Sequence, residues 1–337
     1  MLRTRTGTDA ILTVAVVGGS GFIGRHVIAE LAQNGIRPVL VSRRGASSAL
    51  SAVEHRRCDI TSDPRSVLKS LAGCAAVINA SSYVGDNEVL QARVNIDGVA
   101  HLVAAAAQMP LVHISTAGVY GSLPFVGGAE GDYMLRPESS LSRTRAKGDE
   151  LAILGGATVI RPLFVSGAGD THFLLPLLHI HAKLGAWVAG GNARLSVTPA
   201  ESVAAAAVAA AQRLLEGSSP ELFHVVPDQP VTVRELLTET LTEWGALPNR
   251  SVAVEEAIER LAPFGVPERK VQQFVRDYFI SSSLLRELLP HRLETLCSVS
   301  PAAHAWYAAQ RPASLPGPQP PTRITVTPPR TRIAPRP

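Results

Sequence analysis

Thr13–Leu31 reads TVAVVGGSGFIGRHVIAEL, and the glycines in its middle decide what the rest of the chain folds into. An apolar, mostly β-branched run passes into Gly18-Gly19-Ser20-Gly21-Phe22-Ile23-Gly24 and then into apolar positions at three- and four-residue spacing. That is the pattern of a buried strand, a tight turn and an amphipathic helix. Two glycine spacings are met at once: G-x-x-G-x-x-G at 18, 21 and 24, and G-x-G-x-x-G at 19, 21 and 24. Missing side chains let the turn tighten and let backbone N–H groups approach a pyrophosphate, which then sits on the positive end of the helix. Glycines alone would predict only a tight βα turn. With a strand before and a helix after, the segment predicts a dinucleotide site built from Gly18, Ser20, Gly21, Phe22, Ile23 and Gly24.

Outward from this unit, short Val/Ile-rich runs alternate with Ala-rich helical patterns. Val14–Val17, Val39–Val41, Ala76–Asn79, Val112–Ser115 and Thr158–Arg161 are apolar almost throughout, as strands covered on both faces are. Gly24–Asn34, Pro64–Ala72, Glu88–Gln108 and Arg143–Leu154 supply helices between them. This predicts an α/β fold with a doubly wound parallel sheet. The second half predicts helices at Leu174–Leu184, Glu201–Leu215, Val233–Trp244, Val254–Leu261 and Ser282–Leu289, with short strands at Arg194–Thr198 and Leu222–Val226. The expected organisation is an N-terminal tail (1–12), a nucleotide-binding Rossmann domain (13–165) and a smaller mixed α/β substrate lobe (166–310) that returns one strand to the main sheet. The remainder, 311–337, is proline-dense and poor in large apolar residues, so it is expected to be disordered.

Composition narrows the function. The net charge of the 337-residue chain is +4, but five arginines and no acid lie beyond Gln310, which leaves 27 basic residues against 28 acidic ones. A body so near neutrality makes no case for a nucleic-acid surface. Cys58, Cys74 and Cys297 form no C-x-x-C, which fits a reducing cytoplasm and argues against structural zinc. The basic and apolar N-terminus resembles a signal peptide only until its glycines are explained as above. No stretch has the length and apolarity of a membrane span. The expected partner is a small-molecule substrate, on a monomer or homodimer.

The second candidate strand ends in Ser42-Arg43-Arg44. A site for NAD normally places a carboxylate there to accept from the ribose hydroxyls, whereas guanidinium groups fork onto the extra phosphate of NADP. The expected cofactor is NADPH/NADP+.

These segments resemble the short-chain dehydrogenase/reductase superfamily, in its extended branch with the nucleotide-sugar epimerases and dehydratases, over roughly residues 12 to 245. CDITSDPRSVLKSLAGCAAVINASS is similar to the family's third strand, helix and fourth strand; the resemblance implies that Asp59 and Ile60 border the adenine and that Ala80, Ser81 and Ser82 line the cofactor. RVNIDGVAHLV carries the family's helix asparagine at Asn95, and HISTAGVYG places Thr116 where the family has its catalytic Ser or Thr. VIRPLFVSGAGD resembles the sixth strand and its loop, which implies that Pro162 and Phe164 lie beside the nicotinamide. SVTPAESVAAAAV and LFHVVPDQPVTVRELL resemble later landmarks of the substrate lobe.

The family's Tyr-x-x-x-Lys pair is where the sequence departs. Aligned on Lys147, expected to hold the nicotinamide ribose, the tyrosine position is Arg143, and no tyrosine of the chain has Lys four residues later. A guanidinium stabilises an anion but does not cycle a proton, so a general acid worth about 10²–10⁴ in rate is missing. One-way reduction tolerates that loss if water, Thr116 through a relay, or an acidic hydroxyl on the substrate supplies the proton. The chain thus resembles Tyr-less ketoreductases of aromatic polyketide (angucyclinone) biosynthesis. The rival readings are a nucleotide-sugar epimerase or dehydratase, which must also oxidise an unactivated alcohol, and a non-catalytic NADP(H)-binding sensor or scaffold. His113, inside an apolar strand, is expected to be a satisfied core histidine. His172, His179 and His181 lack the geometry and carboxylates of a metal site, so no metal is expected. Phe173 and Trp187 are expected to pack in the core.

Overall fold

The computed structural model describes residues 11–45, 50–121, 125–289, 299–313 and 315. Most of the expected tails, together with Cys297, lie outside them. The main sheet contains β1 (Thr13–Val17), β2 (Arg37–Ser42), β3 (Glu54–Arg57), β4 (Ala76–Asn79), β5 (Leu111–Ile114), β6 (Thr158–Pro162) and β7 (Leu222–Val225). Its order is β7-β6-β5-β4-β1-β2-β3, and every pairing is parallel. Strand β7, from the second half of the chain, pairs with β6 in the register Leu222 to Val159 and Val225 to Pro162. The chain direction across the sheet reverses between β1 and β4, and a crevice at such a switch point is where doubly wound sheets hold ligands.

The central strands are buried on both faces, which is why they read as unbroken apolar runs. One face is covered by α1 (Phe22–Gln33), and the other by α2 (Pro64–Ser70), α3 (Gly98–Ala105) and α4 (Ser140–Leu154). The second half contributes α5 (Leu174–Leu184) and α6 (Ala200–Leu215). The run of alanines in α6 lets its backbone pack closely against the sheet beside α1. A smaller four-stranded sheet, ordered Val231–Thr232, Arg194–Leu195, Tyr278–Phe279, Phe125–Val126, organises the second lobe, whose own core includes Leu177, Leu237 and Trp244.

Several elements differ from expectation. The expected helix over 88–108 is interrupted: Glu88–Ala92 passes through a π-helical turn, Arg93–Asp97, before α3 begins. The cause is visible at the contact with α4, where a Cβ on Gly148 would stand 2.3 Å from the Asn95 carbonyl oxygen. The backbone widens where Asn95 must turn its amide inward, as such bulges do near functional sites. The strand expected over 194–198 is divided, because Thr198–Pro199 leaves the small sheet to pair with Val165–Ser166. Of the helix expected over 282–289, only Leu285–Leu288 forms. A helix at Pro301–Ala309 was not foreseen; its buried Tyr307 accepts from the Gly167 amide at 2.9 Å and donates to Asp170 at 2.9 Å, tying this helix to the loop after β6.

One buried group sets an acid limit on stability. His181 on α5 is buried; its Nδ1–H donates to the Leu177 carbonyl at 3.0 Å, and its Nε2 has no hydrogen-bond partner among the described residues. Burial pushes its pKa down from 6.5 to about 4. The unfolded chain therefore takes up this proton first, so the contribution is complete above pH 6.5 and is lost as pH falls toward about 4. Roughly 2–3 kcal/mol of stability is expected to disappear over that window. Chemical denaturation across the window should show this slope in the native chain and a flatter one in His181→Met.

Candidate active site

The glycine turn is shaped by close approach. Gly18 has φ +75°, and a Cβ there would meet Ser81 backbone atoms at 2.7 Å. A Cβ on Gly24 would stand 2.3 Å from the Gly18 carbonyl oxygen, so no side chain fits between the helix and its own turn. The cap of α1 is Gly21, and the helix has neither a side-chain cap nor an acid in its first turn. Its N-terminal amides remain suited to an anion.

Above this turn lies a cleft lined by Gly18, Ser20, Gly21, Ser42, Arg43, Arg44, Asp59, Ile60, Ala80, Ser81 and Ser82, together with Val17, Val41, Cys58 and Val94. The sequence-derived candidates from four separate segments thus meet in one crevice at the β1/β4 switch point. Phe22, Ile23 and Gly24 sit beneath it in the first turn of α1. Arg43 also borders an adjoining surface depression with Arg57, Ser62 and Ser66. The Asp59 carboxylate is turned back on its own loop, accepting from the Thr61 amide and hydroxyl, both at 2.9 Å.

On the other side of the sheet's end, Thr116 caps the turn Ala117–Tyr120, accepting from the Gly118 amide at 3.1 Å. Thr116 and Phe164 line a cavity of about 970 Å³ that reaches across to α5 and the segment 261–278. Phe164 has φ +42°, a backbone conformation that costs a bulky residue about 1–3 kcal/mol. Its carbonyl is clamped by the Thr198 amide at 2.9 Å, and its ring stacks on Phe173 at 4.8 Å, which holds it against the cavity. Pro162, the last residue of β6, is buried beside it. Phe173 and Trp187 are core residues; the Trp187 indole donates to the Pro248 carbonyl at 3.0 Å.

Helix α4 turns Lys147 outward. Its Nζ pairs with Glu150 at 2.8 Å on an exposed face, and it lines neither cleft. Arg143 is also exposed and donates to the Glu138 carbonyl. The cation that faces inward is Arg145, which shares a small recess with Ser81, Ser82, Asn95, Val99, His113 and Ile114. Two residues along a helix turn the side chain by roughly 200°, so 145 and 147 look opposite ways. Arg145 has no hydrogen bond or ion pair among the described residues. Burial pushes its guanidinium below the ordinary value, opposed by the charge of Asp149. Four residues before Arg145 stands Leu141, so the inward register of α4 carries no tyrosine either. The signal was present in the sequence: RTRAKGDE offers three cations, Arg143, Arg145 and Lys147, at two-residue spacing, and helical phase separates them.

Behind the recess runs a buried polar chain that the sequence did not announce. Ser81 donates its amide (3.0 Å) and hydroxyl (2.6 Å) to Asn79 Oδ1, and Asn79 Nδ2 donates to His113 Nδ1 at 3.0 Å. His113 Nε2 faces Asp149 Oδ1 at 3.5 Å, and Asp149 Oδ2 accepts from Arg161 Nε at 2.9 Å. Arg161 also donates to the Tyr120 hydroxyl at 2.9 Å, which donates to His224 Nε2 at 2.7 Å. Burial would raise the Asp149 pKa, but His113, Arg161 and Ser115 outweigh it and hold the carboxyl below the ordinary carboxylate range. On the cleft side, Asn95 accepts from the Tyr83 amide at 2.9 Å and donates to Thr144 on α4 at 3.3 Å. Tyr120 is committed to this chain, whereas Tyr278 lines the large cavity with Thr116.

Residues 14–225 match the family described as the NAD dependent epimerase/dehydratase family. Among curated proteins, the chain is 29% identical over 245 residues to a 4-hydroxy-2-methyl-3-oxo-4-farnesyl-3,4-dihydroquinoline-1-oxide ketoreductase of Stigmatella aurantiaca, covering 68% of this chain and 72% of that one. It is 26% identical over 256 residues to the decarboxylating sterol-4-alpha-carboxylate 3-dehydrogenase of Candida albicans, covering 66% and 72%. Among solved structures it is similar to the terminal R domain from the myxalamid PKS-NRPS biosynthetic pathway, with TM-score 0.71, 17% identity and coverage of 90% and 91%. At that identity the likeness is one of fold.

Proposed function

The chain belongs to the NAD-dependent epimerase/dehydratase family, and within it we propose an NADPH-dependent ketoreductase that reduces an activated ketone, aromatic-polyketide-like or quinoid, without a tyrosine acid. The observation that carries this reading is the pairing of the Thr116 cavity with an inward face of α4 that presents Arg145 and Leu141. The relative named as a ketoreductase, and the one named for a sterol carboxylate, support carbonyl/alcohol chemistry on a large apolar body.

The residues fit the cofactor. A cradle at Gly18 and Gly24 that any Cβ would fill suits a pyrophosphate, and Ser42, Asp59 and Ile60 face the adenosine side. Arg43, shared between the cleft and the depression with Arg57, Ser62 and Ser66, supports the extra phosphate of NADP. Bound there, NADPH supplies a hydride. Arg145, without an ion pair among the described residues and beside Ser81 and Ser82, takes over the ribose-holding role that the family resemblance gave to Lys147. In the cavity, the Thr116 hydroxyl polarises the ketone; the alkoxide then takes its proton from water or from a phenolic hydroxyl of the substrate. An epimerase would have to remove a proton from an unactivated alcohol, and nothing on α4 does so.

The test is cofactor oxidation, read by absorbance, with a panel of hydroxylated quinones and anthracyclic ketones. Oxidation of NADPH by at least one is expected, with no turnover of nucleotide sugars. Tight NADPH binding with no oxidation by any ketone would sink the proposal. Arg43→Ala/Arg57→Ala is expected to raise KM for NADPH by roughly tenfold or more while leaving KM for NADH unchanged; an equal effect on both cofactors would remove the 2′-phosphate assignment.

A further inference from the structure

The large cavity is apolar inside and cationic at its mouth. Leu163, Phe164, Ile180 and Val266 supply much of its inner wall. Around the opening stand Lys183, Arg269, Lys270 and Arg276, and among the described residues no Asp or Glu lines it. Four cations are a local excess in a chain whose body is near neutral. Asp170 acts by charge on Lys270 and Glu138 on Tyr278, while two other neighbouring acids are engaged. Asp277 is taken by Arg194 at 2.6 Å, and Glu268 accepts from Gln272 at 2.6 Å.

None of the four cations has an ion pair with an acid among the described residues. Lys183 Nζ lies 3.3 Å from the centroid of the Phe264 ring, and Lys270 Nζ donates to the His172 carbonyl at 3.0 Å. Arg269 and Arg276 are exposed and have no ion pair among the described residues. Phe264 is 57% exposed at the same rim, so an apolar surface and unpaired guanidinium groups stand side by side. Such an arrangement discriminates by charge at one end of a ligand and by apolar area along the rest.

Resting on the reading of this cavity as the substrate pocket, we propose that the substrate is an anionic amphiphile. Its apolar body lies against Leu163, Phe164 and Ile180, and a carboxylate or phosphate at its far end is met by Arg269 and Arg276. A carboxylate and a phosphate use the same bidentate guanidinium geometry, so the probes must separate them.

The experiment is calorimetric binding of decanoate, decyl phosphate, decanol and UDP to the full chain with NADPH present. Decanoate or decyl phosphate is expected to bind roughly tenfold or more tighter than decanol, a charge-assisted contact being large enough for that. The tighter of the two names the anionic group. Arg269→Gln/Arg276→Gln, both exposed positions, is expected to close the gap to about twofold without moving the decanol affinity. Equal binding of decanol and the anions, no binding of any amphiphile, or a gap that survives the double substitution overturns the proposal. UDP binding tighter than decyl phosphate overturns it in favour of a nucleotide diphosphate. Failure here is separable from failure of the reductase reading: a chain that oxidises NADPH with neutral ketones but ignores charge loses this inference alone. One that selects anions yet never oxidises NADPH keeps the site and loses the reaction.

Discussion

Asp149→Ala is expected to destabilise the chain by about 3–5 kcal/mol, because it strands the Arg161 guanidinium in the core. Arg161 is buried, and Asp149 is its charge partner through Nε; among the described residues its other hydrogen bond goes to the neutral Tyr120 hydroxyl. Removal also frees His113 Nε2 and, through Asn79, loosens the backbone at Ser81 on the wall of the nucleotide cleft. Melting is expected to drop by on the order of 10 °C. The double variant Asp149→Leu/Arg161→Met, which leaves no buried charge, should recover most of the loss, since apolar replacement of a whole buried pair is often neutral. If the single variant melts within a degree or two of the native chain, the pair is not the electrostatic keystone of β6 and α4.

The same pair fixes a pH dependence. With its folded pKa below the ordinary range, Asp149 contributes stability that is present above the unfolded carboxylate pKa and lost as pH falls through the folded one. It therefore acts at more acid pH than His181, whose contribution fades from 6.5 toward about 4. Two successive acid losses are the expected signature.

The sheet was legible because its central strands are covered on both faces, and that requirement makes β1 and β4 runs of Val, Ile and Ala with few polar positions. Strand β3 was hidden for the converse reason. As an edge strand of sequence EHRR it is half-exposed and carries its charges outward, Arg37 reaching across to Glu54 at 2.8 Å. The nucleotide cleft was legible at the glycines, since a position that must hold φ > 0 against another backbone admits little else. The polar chain from Ser81 to His224 was not, because its members lie tens of residues apart and each alone reads as an ordinary core or strand residue. Nor was the choice between Arg145 and Lys147: a spacing rule anchored on residue type picks Lys147, whereas helical phase turns Arg145 into the recess and Lys147 to the exposed face.

That choice gives the last expected result. Arg145→Ala should reduce kcat/KM for NADPH by roughly a hundredfold, the loss of a charged hydrogen-bonding group being worth about 2–3 kcal/mol in a site shielded from water. Lys147→Ala, which removes only a solvent-exposed pair with Glu150, should change it by about twofold or less. Arg145→Lys is the informative intermediate. If the guanidinium holds ribose hydroxyls from the recess beside Ser82 and Asn95, a lysine there keeps the charge and recovers part of the loss, with KM rather than kcat moving first. If Arg145 were merely a packing element of α4, Arg145→Met would serve as well as lysine, and melting rather than KM would report the change. The opposite ranking, with NADPH binding lost in Lys147→Ala and kept in Arg145→Ala, would mean that α4 presents its other face to the cofactor. The recess formed with His113 would then have no part in the reaction.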